Sequence, residues 1–122
     1  MEHSGCGSPF CHIVIPAPDL TSAKAFYEAV FGWCVRANDP GPKYWFFESG
    51  NIGGAFNAYI KPSGQSVLLV MTVGDMQAAL DLVTRHGGSV IQRRGRIGEA
   101  DAGYDAYFHD PNGNEMGLHS DR

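Results

Sequence analysis

Two histidines, a glutamate and an aspartate lie close together in the stretch HDPNGNEMGLHS, which runs from His109 to Ser120. Imidazole nitrogen and carboxylate oxygen are donors that zinc, nickel, iron and manganese accept in proteins, so these residue types could form half of a metal site. The same stretch also contains a complete tight turn. Asp110 can accept backbone hydrogen bonds, Pro111 fixes φ, and Asn112–Gly113 tolerate positive φ. Hairpin chemistry therefore explains the turn without a ligand.

The composition is that of a small, mildly acidic globular domain. The 122 residues carry nine basic and thirteen acidic side chains, a net charge of −4, and 43% of them are hydrophobic. Such a chain can bury a core, and its charge argues against nucleic acid or an anionic membrane as partner. No apolar run approaches the roughly twenty residues that span a bilayer, and the N-terminus is not a signal peptide. We therefore expect a flexible tail at residues 1–9, one domain at 10–122 and a cytoplasmic location.

Two segments of the chain repeat one helical pattern. DLTSAKAFYEAVFG (Asp19–Gly32) and DMQAALDLVTRHGG (Asp75–Gly88) both open on an aspartate suited to an N-cap and close on glycine. Each places apolar residues at i, i+3, i+4 and i+7, the spacing of one helix face. These two segments are therefore predicted to be amphipathic helices.

The segments around the helices repeat as well. A strand-like run precedes each helix, and three short β-rich segments follow it. They are FCHIVIPA, WCVRA, YWFFES and GGAFNAYI in the first half, and SVLLVMTV, SVIQRR, YDAYFH and EMGLHS in the second. The run SVLLVMTV is apolar on both faces, which indicates a central strand. The sequence thus predicts an α+β fold of two βαβββ modules, residues 10–62 and 66–120, joined at the turn-rich KPSGQ.

Both ends of the chain resemble a known superfamily. The residues CHIVIPAPDLTSAKAFYEAVFGW and FHDPNGNEMGL, with the repeated unit between them, are similar to the vicinal-oxygen-chelate superfamily. That superfamily holds glyoxalase I, bleomycin- and fosfomycin-resistance proteins and extradiol dioxygenases. The resemblance implies curved mixed sheets around a cleft, usually within a homodimer. In the metal-using members, the first and last strands of the modules supply histidine and glutamate ligands to one divalent ion, whose open positions chelate substrate oxygens.

The resemblance, carried over position by position, fills one of the four ligand positions. His12, seven residues before Asp19, matches the first-strand histidine. The other positions fall on GGAF (Gly53–Phe56), on Leu68 and on Gly117, where no side chain can coordinate. A single neutral imidazole cannot retain a divalent ion against water, so we expect no resident metal.

A displaced metal site is the alternative. Side chains two apart on a strand share a face, so Glu115 and His119 would flank Gly117 by roughly 6–7 Å on either side. Together with His12 they could hold zinc, nickel, iron or manganese.

The rest of the predicted cleft is aromatic or small. Tyr107 matches a cleft-facing tyrosine of the fosfomycin-resistance branch, and YWFF (44–47) places two rings on each face of a strand. Gly53–Gly54 and Gly117 leave room for a ligand or let the backbone approach it. We expect an apolar pocket for a small, partly aromatic molecule. Its predicted lining is Trp45, Phe47, Phe56, Leu68, Tyr107, Gly117 and His119.

Three functions are compatible with these residues. The favoured one is metal-independent binding of that molecule. The second is an enzyme, a lyase, isomerase or dioxygenase, working through the displaced metal or through acid–base chemistry between His12 and Tyr107. An imidazole titrates near neutrality and a phenol can polarise a carbonyl, which makes that pair chemically plausible. The third is a non-catalytic interaction module that uses the dimer surface.

Overall fold

The computed structural model describes residue 7 and residues 9–63, 67–96 and 103–121, apart from the side chains of residues 93, 94 and 96. Most of the predicted tail and part of KPSGQ lie outside the described residues. The elements repeat βαβββ twice, as predicted. In chain order they are β1 (His12–Pro16), α1 (Leu20–Phe31), β2 (Cys34–Arg36), β3 (Tyr44–Ser49), β4 (Ile52–Asn57), β5 (Leu69–Thr72), α2 (Met76–Arg85), β6 (Ser89–Arg96), β7 (Tyr104–His109) and β8 (Glu115–Ser120).

Each module forms one four-stranded mixed sheet, in the orders β1-β4-β3-β2 and β5-β8-β7-β6. The first strand of each module pairs parallel with the last, and the other neighbours are antiparallel. β5 is therefore an edge strand, and the prediction of a central strand was wrong. Its two apolar faces meet different surroundings, because Met71 packs against the core while Val70 is 54% exposed.

Both helices begin at their predicted caps. The side chains of Asp19 and Asp75 accept the backbone N–H of Ser22 and Ala78, each at 3.0 Å. α1 ends at Gly32, whose φ of 69° is left-handed, and α2 ends just before Gly87, whose φ is 100°. Within the described ranges, neither helix is long and apolar enough to cross a membrane.

β4 is shorter than the predicted segment GGAFNAYI. It ends at Asn57, whose side-chain oxygen accepts the backbone N–H of Tyr59 at 2.8 Å. An asparagine that bonds the backbone two residues ahead turns the chain out of the sheet. The apolar residues that follow Asn57 therefore extend the strand pattern in sequence but not in structure.

The helices cover one face of each sheet, and the two modules share one core. Phe26 of α1 lies against Phe108 of β7, with ring centroids 5.9 Å apart. We call the side of each sheet that is turned away from the helices its open face. On β1, Ile15 is buried while His12 and Val14 are exposed, so alternation along the strand places His12 on the open face.

The β7–β8 turn joins the modules through buried hydrogen bonds. Asp110 is 4% exposed, and its carboxylate accepts the hydroxyl of Tyr27, the backbone N–H groups of Asn112 and Asn114, and the side-chain amide of Asn114, all at 2.9 Å. Burial raises the pKa of Tyr27 well above its ordinary value, and the neighbouring Asp110 raises it further. The phenol thus stays protonated and donates to the carboxylate.

The two asparagines of the turn also bind module one. Asn112 accepts the backbone N–H of Asp19 at 2.7 Å and donates to its carbonyl at 3.0 Å. Asn114 donates to the carbonyl of Pro16 at 2.7 Å. The predicted hairpin is therefore also the joint that fixes module two against the end of β1 and the start of α1.

Disrupting this network should lower the stability of the whole domain. We expect Tyr27→Phe and Asp110→Asn each to reduce the free energy of unfolding by about 1–3 kcal/mol, since each leaves a buried group without its partner or with a mismatched one. Urea unfolding followed by circular dichroism measures the effect. Tyr59→Phe is the control: its hydroxyl accepts the backbone N–H of Lys43 at 3.2 Å, but both residues are exposed, so water can replace this bond and stability should change by less than about 0.5 kcal/mol. Equal effects of the two tyrosine variants would contradict this account.

Gly54 is required for packing inside module one. A Cβ there would collide with the carbonyl oxygen of Ile13 and with the ring of Phe47. Gly54 is also buried, so the space it leaves is occupied by the chain itself. Gly53 differs, because a Cβ there would meet only the Phe47 carbonyl oxygen, at 3.3 Å.

Adjacent glycines therefore form a matched pair for mutation. Gly54→Ala should destabilise the domain by about 1–3 kcal/mol, because overpacking forces the β1–β4 pair apart. Gly53→Ala should cost much less, since a shift of a few tenths of an ångström relieves its one contact. Thermal unfolding of both variants tests this difference, and equal losses would show that neither collision controls stability.

Candidate functional site

The open face of the first sheet carries the predicted histidine. His12 on β1 stands opposite Gly53 on β4, and its Nε2 lies 3.2 Å from the hydroxyl of Tyr44 on β3. β4 lies between β1 and β3, and Gly53 and Ala55 are on its open face. Because neither has a large side chain, the tyrosine can reach across β4 to the imidazole.

An aromatic ring and a cation complete this group. Phe46 is 46% exposed, and its ring centroid lies 6.3 Å from that of His12 and 5.3 Å from that of Tyr44. The guanidinium of Arg36 lies 5.9 Å from the same ring, within cation–π range. We call His12, Arg36, Tyr44 and Phe46 the module-one patch.

The two ring pairs of YWFF lie on opposite faces of β3, and Tyr44 and Phe46 share a face with His12. Trp45 and Phe47 are 8% and 3% exposed and lie in the core, as does Phe56 at 0%. These three rings lie on the opposite side of the sheet from His12, because Phe56 pairs with Ile15 on the helix side of β1 and β4. Alternation separates the pairs correctly, but only the register between strands shows which pair shares a face with His12. A role of the buried rings in ligand binding stays a prediction.

The open face of the second sheet holds the other predicted residues. Val70, Gly117 and Tyr107 stand side by side across β5, β8 and β7. A Cβ at Gly117 would lie 3.1 Å from a methyl of Val70 and 3.3 Å from the Tyr107 ring. The space left by Gly117 is therefore bordered by these two side chains. His119 is half-buried on the same face, and Leu68 is half-buried just before β5.

Tyr107 forms a polar pair of its own. Its hydroxyl donates to the carboxylate of Asp105 at 2.9 Å. That hydrogen bond raises the pKa of Tyr107, and desolvation and the charges of Asp105 and Glu115 act in the same direction. Among the described residues His12 bonds to Tyr44 rather than to Tyr107, so the proposed acid–base pair is not formed by contact within one chain.

The donors on these faces do not fit the divalent ion of the metal-using relatives. Across the parallel strand pairs, His12 faces Gly53 and Val70 faces Gly117, so neither pair brings two donors together. The described part of the chain contains no group of three His, Cys, Asp or Glu side chains that could hold a metal ion. The Tyr107 ring also lies over the position where a carboxylate would be needed.

The sequence matches the model of a known protein superfamily. The model of the Glyoxalase/Bleomycin resistance protein/Dioxygenase superfamily matches residues 10–118. The chain belongs to this superfamily, which confirms the resemblance of its two ends. No match was found among the curated proteins with which the sequence was compared.

Solved structures share the fold at low sequence identity. A glyoxalase/bleomycin resistance protein/dioxygenase family enzyme from Burkholderia phytofirmans PsJN has a TM-score of 0.76 at 19% identity, over 91% of this chain and 97% of that one. The genomically encoded fosfomycin resistance protein FosX from Listeria monocytogenes has a TM-score of 0.73 at 17% identity, over 93% of each chain. TioX from Micromonospora sp. ML1 has a TM-score of 0.70 at 13% identity, over 94% of this chain and 100% of that one. These likenesses establish the architecture.

The Tyr107–Asp105 pair has a measurable acid–base signature. Asp105→Asn should lower the pKa of Tyr107 toward its ordinary value, because the phenolate would no longer face a carboxylate. Ultraviolet absorbance titration measures it, with the Tyr107→Phe variant in each background isolating this phenol from the other tyrosines. Asp81→Asn, on the exposed side of α2, is the control and should leave the curve unchanged. An unaltered Tyr107 titration in Asp105→Asn would show that the pair does not control it.

Proposed function

We propose that this protein binds a small, partly aromatic molecule on the open faces of its sheets, without a resident metal ion. The observation that carries the proposal is the hydrogen bond between His12 Nε2 and Tyr44 Oη. The imidazole that relatives use for a metal has a phenol as its partner here, and glycine stands where the neighbouring strand could supply a carboxylate.

The module-one patch offers the contacts such a ligand needs. Phe46 presents a half-exposed ring for stacking, and edge-on packing by Tyr44 helps to hold that ring in place. His12 and Tyr44 can redirect their shared hydrogen bond to a ligand oxygen, because a phenol and an imidazole both donate and accept. Arg36, near the ring, can bind a carbonyl or an anionic substituent.

The second open face supplies a complementary half of the site. Tyr107 and His119 lie there beside the buried Gly117. We propose that two copies of the chain form a homodimer that covers these faces. The exposure of Val14 (41%), Phe46 (46%) and Val70 (54%) on the two faces supports it, since apolar side chains in such number favour burial against a partner.

We also propose a cytoplasmic location. Cys11 and Cys34 are exposed free thiols, which suit a reducing compartment. The names of the relatives, which include fosfomycin resistance and bleomycin resistance, favour an antibiotic-like molecule as the first ligand class to test.

We expect this protein to bind its ligand although it contains no stoichiometric metal. Elemental analysis of untagged protein, purified without chelator, should find no nickel, zinc, iron or manganese near one equivalent per chain. Thermal-shift screening against aromatic antibiotics and 2-oxo compounds should find a ligand that raises the unfolding temperature. Phe46→Ala should weaken that ligand about tenfold, corresponding to the loss of one stacking contact of about 1.4 kcal/mol.

The controls distinguish the alternatives. Near-stoichiometric metal that disappears in His12→Ala would overturn the metal-independent function and favour the displaced site with Glu115 and His119. Ile60→Ala, an exposed apolar change outside both faces, should leave ligand affinity unchanged. Light scattering on the same samples should give the mass of a dimer, and a monomer at every concentration would overturn the shared site. Uniformly silent screens would favour an interaction module.

A further inference from the structure

A cavity of about 630 Å³ lies between the two modules, on the helix side of β1 and along β5. Its walls come from β1, the end of α1, β3, the β3–β4 turn and β5. The residues that matter most for its chemistry are Ile13, Phe31, Trp33, Phe47, Leu69 and Met71. We call this space the junction cavity.

The junction cavity is separate from the module-one patch, although Val70 of the second open face also borders it. Ile13 and Ile15 line it, and they alternate along β1 with His12 and Val14, which lie on the open face. None of the four residues of the module-one patch belongs to its walls. A molecule in the cavity would therefore touch the opposite side of β1.

The lining defines the class of molecule that fits. Its residues include no ionisable side chain. Its polar members lie in or beside the strand ends, where Ser49 already donates to the carbonyl of Ile52 at 2.8 Å, while Asn51 and Thr72 are exposed. A charged ligand would lose its hydration without gaining a partner, whereas an apolar ligand gains from burial.

One wall is rigid and the opposite wall can adapt. The indole of Trp33 stacks with Tyr27, at 4.5 Å and 18°, and with Phe47, at 4.7 Å and 15°. These two contacts hold the indole in place where it lines the cavity. Met71 and Met116 belong to the lining as well, and unbranched thioethers adjust to irregular ligands.

We propose that the junction cavity is a second binding site, which takes one neutral, mainly apolar small molecule. Its volume lies within the range of about 300–1,000 Å³ that is typical of small-molecule sites. The cavity lies between two modules of a single chain, so this ligand site does not need the homodimer. It is independent of the module-one patch, because it uses different side chains on the other side of β1.

The uncharged fluorescent probe N-phenyl-1-naphthylamine tests the site. In the Trp45→Phe variant Trp33 is the remaining tryptophan, since the chain has two. Titration should quench Trp33 and increase probe emission with saturation at one probe per chain. Met71→Phe, added to that variant, should weaken probe binding about tenfold, because the larger ring fills the cavity. Ile60→Phe, which adds the same ring at an exposed position, should leave the affinity unchanged.

Two further measurements keep the test decisive. If Met71→Phe does not fold, the probe should still raise the urea midpoint of the parent protein, with the same saturation curve as its emission. Emission that rises without saturation, or that is unchanged by Met71→Phe, would overturn the proposal. Affinity that falls as the chain concentration rises would also overturn it, because a second copy would then occupy the space. None of these results bears on ligands of the module-one patch.

Discussion

Asp110 is a carboxylate with 4% of its surface exposed, and the arrangement of the two modules depends on the donors around it. A buried charge is tolerated when hydrogen bonds replace the water it has lost. Here the donors come from its own turn and from Tyr27 of the other module, so satisfying the charge requires the modules to meet. One electrostatic requirement therefore sets the position of α1 against β7 and β8, and with it the shared core.

Once the modules are fixed, strand alternation determines which residues can act. The helix side collects the large rings into one core, and the open faces receive His12, Tyr44, Phe46 and Tyr107. Small residues on β4 matter as much as the rings, because Gly53 and Ala55 let Tyr44 approach His12. The chemical character of the first open face therefore follows from what the intervening strand lacks.

The sequence was sufficient for the fold because each signal there is local. Asp19, Gly32 and Asp75 act within one turn of a helix, and the repeat of those signals indicated two modules. The site was harder to predict from the sequence, because contacts such as that of His12 with Tyr44 depend on the register across three strands. Periodicity gave two candidate ring pairs, and only the strand register shows that Tyr44 and Phe46 share a face with His12. β5 shows the same limit, since an apolar run does not reveal whether a neighbouring strand or open space lies beside it.

The two modules repeat one fold, but the turns at the same position in each, β3–β4 and β7–β8, differ in chemistry. The β7–β8 turn carries Asp110, Asn112 and Asn114 and is bonded to module one, whereas the β3–β4 turn, with Ser49 and Asn51, borders a void beside β5. The contact between the modules is therefore asymmetric, because hydrogen bonds cross it at the β7–β8 turn and a cavity lies beside it at the β3–β4 turn. The same βαβββ unit thus occurs twice in the chain, with a different role for its last turn in each copy.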